Sequence, residues 1–374
     1  MKFSCTRENL HQGLSITSRV GTKNVNLPIL NNVLVRADAG GVKLISTNLE
    51  IALTCAIRGK VDQGGEYTVP AKLFFDYVNL LPNERVDIDL LDNAIFVGCG
   101  NAKTKIHGIP ATEFPLIPPV SGGTTYSIGV ANLQLALSQV LFAAATNESR
   151  PELSGILLNF DEAGLLTLAA TDSYRLSEVI LKTAVSSSSR VIVPQRTLAE
   201  LSRVLSVFKD DVEAPSAVEI RLSDNQIVFQ YGSVELTSRV IEGSYPDYKQ
   251  IIPKQVKTEV LFDRTEFVQA VKTVSLFSKT GLFDVTLGLD ADNQQIEISA
   301  SDKTRGENTV VLKAAIQGSE NRVVLNYRYL LDGLGAISSD QVTFKMIDGT
   351  NPCVLIPKEM PNEEFQYIIM PIRQ

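Results

Sequence analysis

The residues of this chain that are able to do chemistry are few and scattered. Thr171-Asp172-Ser173 places a hydroxyl, a carboxylate and a second hydroxyl in a row, the raw material of a hydrolase. A Ser-His-acid relay also needs an imidazole, and His11 and His107 are the only two histidines, neither beside a nucleophile motif. No GxSxG, P-loop, HExxH or GxGxxG pattern occurs. Cys5, Cys55, Cys99 and Cys353 lie far apart with no CxxC pair, which argues against a zinc site and for buried free thiols in a reducing cytosol. No metal and no cofactor is expected, and catalysis is the weaker of the functional classes.

The elements that hold these residues repeat. Leu27–Val35 (LPILNNVLV) aligns with Arg150–Leu158 (RPELSGILL) at an offset of 123 residues. Each leads into a hairpin, Asp38-Ala39-Gly40-Gly41 or Asp161-Glu162-Ala163-Gly164, and then into a strand closing on a small polar pair. The pairs are Thr47-Asn48, Thr171-Asp172 and, in a third copy, Ser301-Asp302. A β-rich run then stops at Pro70, Pro194 or Asn326, and apolar residues recur at helical spacing, as at Leu73, Phe74, Tyr77, Val78 and Leu81, or Leu198, Leu201, Val204 and Leu205. Alternating strands follow, and the copies close on Glu113-Phe114-Pro115, Ser244-Tyr245-Pro246 and Glu364-Phe365-Gln366-Tyr367. A helix opens each copy, at 7–20, 131–145 and 264–278. The fold class is α+β: three tandem units, 1–122, 123–253 and 254–374, each with two helices and antiparallel sheets.

Bulk composition agrees with a packed chain. Hydrophobic residues are 44% and charged residues 21%, which excludes intrinsic disorder. No apolar run reaches the ~20 residues of a membrane helix, and the first residues lack the apolar stretch of a signal peptide, so a soluble cytoplasmic protein is expected. The formal net charge of -7 disfavours nucleic acid until the charge is mapped. The predicted helices and their flanks carry Lys23, Lys72, Arg150, Arg196, Arg203 and Lys272, among other bases, so they are collectively basic and the rest collectively acidic. Helices sharing one surface would attract a phosphate backbone without reading sequence. A tandem scaffold that binds only proteins is the alternative, and salt-dependent DNA association separates the two.

With these residues in place the chain resembles the bacterial DNA polymerase III β-subunit family. Met1-Lys2-Phe3, Leu27–Leu30 (LPIL), Thr171–Leu176 (TDSYRL), Tyr245-Pro246-Asp247-Tyr248 and Met370-Pro371-Ile372-Arg373 carry the likeness over the whole chain. The resemblance implies a non-catalytic homodimeric ring around duplex DNA. Twelve inner helices spaced ~8–10 Å apart would leave a hole of roughly 20–28 Å. It implies a peptide pocket between the second and third units for polymerase, clamp loader and repair proteins. The expected lining is Leu153, Thr171, Ser173, Tyr174, Arg175, Leu176, Pro246, Ile251, Ile368, Ile369, Met370, Pro371, Ile372 and Arg373. Arg175 and Arg373 are expected to hold peptide carbonyls or carboxylates. Lys23, Lys72, Arg150, Arg196, Arg203 and Lys272 are expected to face DNA, and Ile106, Leu276 and Phe277 to form the joint between copies. The chain departs from the family at Ser173-Tyr174, where Gly-His or Gly-Tyr is usual, at Gln250 in place of a base, and at its Arg373-Gln374 end.

Overall fold

The computed structural model describes residues 1–21, 27–118, 120, 122–146, 150–183, 187–209, 213–223, 225–359 and 364–373. The first repeat runs β1 (Lys2–Thr6), α1 (Arg7–Thr17), β2 (Asn32–Asp38), β3 (Gly41–Thr47), β4 (Ile51–Ile57), β5 (Gly59–Gln63), β6 (Gly65–Pro70), α2 (Ala71–Asn79), β7 (Arg85–Leu91), β8 (Ala94–Cys99) and β9 (Ala102–His107). The second runs β10 (Thr124–Gly129), α3 (Val130–Val140), β11 (Gly155–Phe160), β12 (Leu165–Thr171), β13 (Arg175–Lys182), β14 (Ser189–Pro194), α4 (Gln195–Val207), β15 (Ala217–Leu222), β16 (Gln226–Tyr231) and β17 (Val234–Arg239). The third runs β18 (Thr258–Asp263), α5 (Arg264–Ser275), β19 (Asp284–Asp290), β20 (Gln295–Asp302), β21 (Gly306–Lys313), β22 (Ala315–Gly318), β23 (Asn321–Asn326), α6 (Tyr327–Gly335), β24 (Gln341–Met346), β25 (Cys353–Pro357) and β26 (Glu364–Ile369).

Local chemistry sets these limits. Thr6 caps α1 by accepting from the Asn9 N–H, Asp263 caps α5 through Glu266 N, and Asn326 caps α6 through Arg328 N and Tyr329 N. Pro70 stands at the cap of α2, where its missing N–H costs nothing. The opening helices are shorter than their apolar periodicity predicts. The α3 helix tightens into a 3-10 turn at Leu141–Ala143, and α1 and α5 end at Thr17 and Ser275. Asp92 and Asn93 both take positive φ between β7 and β8, as a two-residue hairpin turn requires.

The chain divides into two compact units, Met1–Ala131 with Ala199–Val240, and Asn132–Leu198 with Ile241–Gln374. In the first, a five-stranded sheet is ordered β5-β1-β7-β8-β9 and an eight-stranded sheet β10-β15-β16-β17-β4-β3-β2-β6. In the second, a nine-stranded sheet is ordered β14-β11-β12-β13-β26-β25-β24-β18-β22 and a four-stranded sheet β21-β20-β19-β23. The units cut across the repeats because each contains one seam at which the last strand of one repeat pairs with a strand of the repeat before it. Those seams are β17 on β4 and β26 on β13, both antiparallel.

One alignment made on sequence is corrected. Glu364–Tyr367 lies in β26, the seam strand that corresponds to β17, whereas Phe114 and Tyr245 follow the last strands of their repeats. The aromatic-rich spelling is shared, but Phe365 and Tyr367 are alternating core positions of a strand. Gly333 in α6 is part of that core, since a β-carbon there would sit 2.1 Å from the Tyr367 ring.

Candidate protein-binding groove and the residues around it

The second seam carries most of the expected pocket. Thr171–Arg175 is a tight loop: the Thr171 hydroxyl donates to Arg175 O at 2.6 Å and accepts from Ser173 N at 3.1 Å. Asp172 Oδ1 accepts from Tyr174 N at 2.9 Å and Arg175 N at 3.0 Å. The cage forces Ser173 to φ +79° and leaves Tyr174 63% exposed. Thr47–Ile51 has the same cage, with Leu49 at φ +76°. The small polar pair is therefore a turn device shared by the repeats, an Asx-type turn that replaces missing backbone bonds.

Beyond the loop, Leu176 stands opposite Ile368 and Arg175 opposite Ile369. Leu176 and Ile368 are fully buried in a cluster with Leu157, Ala169, Ile192, Tyr245, Tyr248 and Val354, and Ile251 packs against it half-buried. Pro246, Met370, Pro371 and Ile372 stay partly open, and Arg373 is exposed. Met370 N donates to Tyr174 O at 2.9 Å and Ile372 N to Val324 O at 2.8 Å, which anchors the C-terminal segment along the seam. Ile369 alternates to the other side of β26 from Ile368, and Leu153, buried at the end of the 3-10 turn Pro151–Leu153, is not in the Leu176 cluster.

Arg175 is held within its own chain. Its Nε donates to Asp172 Oδ2 at 2.9 Å, its Nη1 to Asp332 Oδ2 at 2.5 Å and its Nη2 to Phe142 O at 2.7 Å, and the guanidinium lies 4.6 Å from the Tyr329 ring centroid. Burial pulls its pKa down, but Tyr367, Asp332 and Asp172 outweigh that and the net shift is upward. Each guanidinium nitrogen makes a hydrogen bond within the chain, so Arg175 staples α6 to the 171–175 loop.

Sequence reasoning missed the floor. Glu178, 4% exposed, accepts from the Tyr248 hydroxyl and from Gln366 Nε2 at 2.6 Å. Burial, then Glu178, pushes the Tyr248 phenol up, which keeps it a donor. Tyr245 is buried beside the Thr171 backbone, yet its hydroxyl makes no well-formed hydrogen bond among the described residues. Behind this wall, Arg190, Tyr245, Asp247, Tyr248 and Lys249 help line a cavity of about 260 Å³. The only signal was the alternation of Leu176, Glu178 and Ile180, which puts a carboxylate on an apolar face.

The expected DNA-facing residues separate. Lys72, Arg196 and Lys272 are exposed on α2, α4 and α5. Lys72 pairs with Asp76 one turn on, and Arg150 pairs with Glu152, both at the surface. Arg203 is held within the chain: it donates to Ser15 O at 2.8 Å, to Ile16 O and to Glu200, closing the C-terminal end of α1. Lys23 lies outside the described residues. Of the expected joint residues, Leu276 is 68% exposed and Phe277 half-exposed, while Ile106 is buried in its own chain on β9.

Three family descriptions cover the chain: the DNA polymerase III beta subunit N-terminal domain matches residues 1–118, its central domain 127–247 and its C-terminal domain 249–373. The beta sliding clamp of Synechococcus elongatus is 31% identical over 380 residues, covering 100% of this chain and 99% of that one. The Pseudomonas aeruginosa beta sliding clamp is 29% identical over 377 residues, covering 100% of both. Among solved structures, a Pseudomonas aeruginosa sliding clamp bound to griselimycin superposes with a TM-score of 0.93 at 28% identity, covering 100% of both chains. A Thermotoga maritima DNA polymerase III beta subunit shares the fold, with a TM-score of 0.93 at 24% identity over 100% of this chain and 99% of that one. The chain belongs to the DNA polymerase III beta subunit family, the sliding clamps.

Proposed function

We propose that two copies of this chain close head to tail into a ring that encircles duplex DNA and tethers the replicative polymerase, clamp loader and repair proteins by short peptides. One observation carries the reading. Each repeat has one strand in the β9, β17 or β26 position and one in the β4, β13 or β21 position. Two of the three possible seams, β17–β4 and β26–β13, are made within the chain. The leftovers, β9 and β21, are end strands of their sheets with open ladders. An open edge is a template for another strand, and a second copy supplies the complementary one at both ends at once.

The reading takes repeat boundaries near residues 122 and 253. Exposed Lys72, Arg196 and Lys272 give the helices a basic face toward phosphate, a contact without sequence preference and sensitive to salt. The groove of Leu176, Pro246, Ile251, Ile368 and Met370 takes an apolar peptide side chain, with Met370 adapting to different partners. No step of catalysis is assigned to the chain.

Topological retention tests the proposal. The protein is loaded on a nicked circular plasmid with a bacterial clamp loader and ATP, gel-filtered, and the plasmid is then linearised. Retention on the circle and loss from the linear form is the expected result. Equal retention on both would mean surface binding and would overturn the ring, and retention on neither would favour a protein-only scaffold.

A further inference from the structure

We propose that the cavity behind the Tyr245 and Tyr248 wall is a second compartment of the protein-binding site, taking an acidic side chain of the same peptide whose apolar residue sits in the groove. The inference rests on the groove proposed above and adds a charge preference in the flank of its ligand.

The sheet places the cavity. Asn159 on β11 stands directly opposite Arg190 on β14 and Thr167 on β12, so the three form one row across the strands. Leu157, two residues before Asn159, shares their face and belongs to the cluster under the groove. On β13, Ile180 is opposite Thr167 and Leu176 is opposite Thr171. The cavity row and the groove row are therefore ~13 Å apart along the strands. Glu178 lies midway between Leu176 and Ile180, and the Tyr248 hydroxyl donates to it. The segment from Tyr245 to Lys249 thus crosses the sheet between the rows, with the groove on one side and the cavity on the other.

The lining selects an anion. Arg190 Nη2 donates to Tyr245 O at 3.3 Å, which sets the guanidinium against the wall. Its Nε and Nη1 make no hydrogen bond among the described residues, and neither Arg190 nor the exposed Lys249 forms an ion pair among them. Asp247, the one acid in the lining, already accepts from Gln250 Nε2 at 2.9 Å. Asn159 and Thr167 add an amide and a hydroxyl, and Leu157 and Pro246 supply apolar surface. Two uncompensated bases beside apolar surface fit a carboxylate on a short carbon stem.

Size and position favour a peptide as the source of that carboxylate. A volume of about 260 Å³ is below the ~300–1,000 Å³ of sites for drug-sized ligands and suits one side chain. Pro246 lines both compartments. A chain leaving the groove reaches Arg190 by passing over Pro246, which takes about six residues at ~3.3 Å each.

The test uses fluorescein-labelled synthetic peptides and the full chain. Each peptide has a Leu-Phe anchor with a Glu-Glu pair about six residues before or after it, and each has a Gln-Gln counterpart. By fluorescence anisotropy, one of the Glu-Glu peptides should bind roughly fivefold tighter than its counterpart. Arg190→Ala should erase that margin, and Lys249→Ala, on an exposed turn, should narrow it to about twofold. No margin in the native protein, or a margin that survives Arg190→Ala, overturns the cavity and spares the groove. Failure of every peptide to bind overturns the groove and the inference with it. Inorganic phosphate that raises the melting temperature of the native protein but not of Arg190→Ala, with no Glu-Glu margin, would mark a free-anion site and overturn the peptide assignment.

Discussion

Arg175 and Asp332, 157 positions apart in the chain, meet through a 2.5 Å contact from Nη1 to Oδ2 that ties the loop bordering the groove to α6. Asp332→Asn keeps the acceptor oxygen but removes its charge, while Asp172 and the Phe142 carbonyl remain. The expected loss is about 1 kcal/mol of stability. Arg175→Ala strands two acids and a carbonyl and should cost about 2–3 kcal/mol. Chemical denaturation of the two variants checks the order. Equal losses would mean that Arg175 does not staple α6.

The two tyrosines under the groove make a matched pair. Tyr248→Phe removes a donor from the buried Glu178 carboxylate and should cost about 1–3 kcal/mol. Tyr245→Phe removes a buried hydroxyl that has no well-formed bond and should change stability by no more than about 0.5 kcal/mol. Thermal melts of both variants decide this. A larger loss at Tyr245 would show a bond formed through an ordered water.

Leu276 and Phe277 follow the last turn of α5, and Leu276 is too exposed to serve its own chain's core. Changing both to Ala should leave the melting temperature of the chain nearly unchanged and shift it to monomer. Sedimentation at low concentration reads the mass, and an undiminished dimer would argue against their place at the joint.

Burial pushes the Cys5, Cys55 and Cys353 thiols up to about 12, and the carboxylates of Asp87 and Asp348 add to this for Cys5 and Cys353. A folded pKa raised above the unfolded value gives stability that is whole below pH 9 and fades as pH rises from about 9 toward about 12. Iodoacetamide at pH 8 should therefore label the folded protein slowly and label it fast in denaturant. Rapid native labelling of any of the three would mean that its site opens readily.

The sequence by itself determined the threefold repeat, the α+β class and the turn devices. These are local matters: an amphipathic period, an Asx turn at Thr171-Asp172 and a strand alternation are written over a few neighbouring residues. Which strand pairs with which, and where long side chains end, are not local. By sequence Arg175 is expected in the peptide pocket and Arg203 toward DNA; the fold brings carbonyls and carboxylates of the chain itself within reach of both. Glu178 has its hydrogen-bond partners only once β26 and Tyr248 close over it. Glu364–Tyr367 read as a tail until pairing with β13 made it a seam. Each was decided by contacts among segments far apart in the chain, because burial and hydrogen-bond partners exist only once those segments have met.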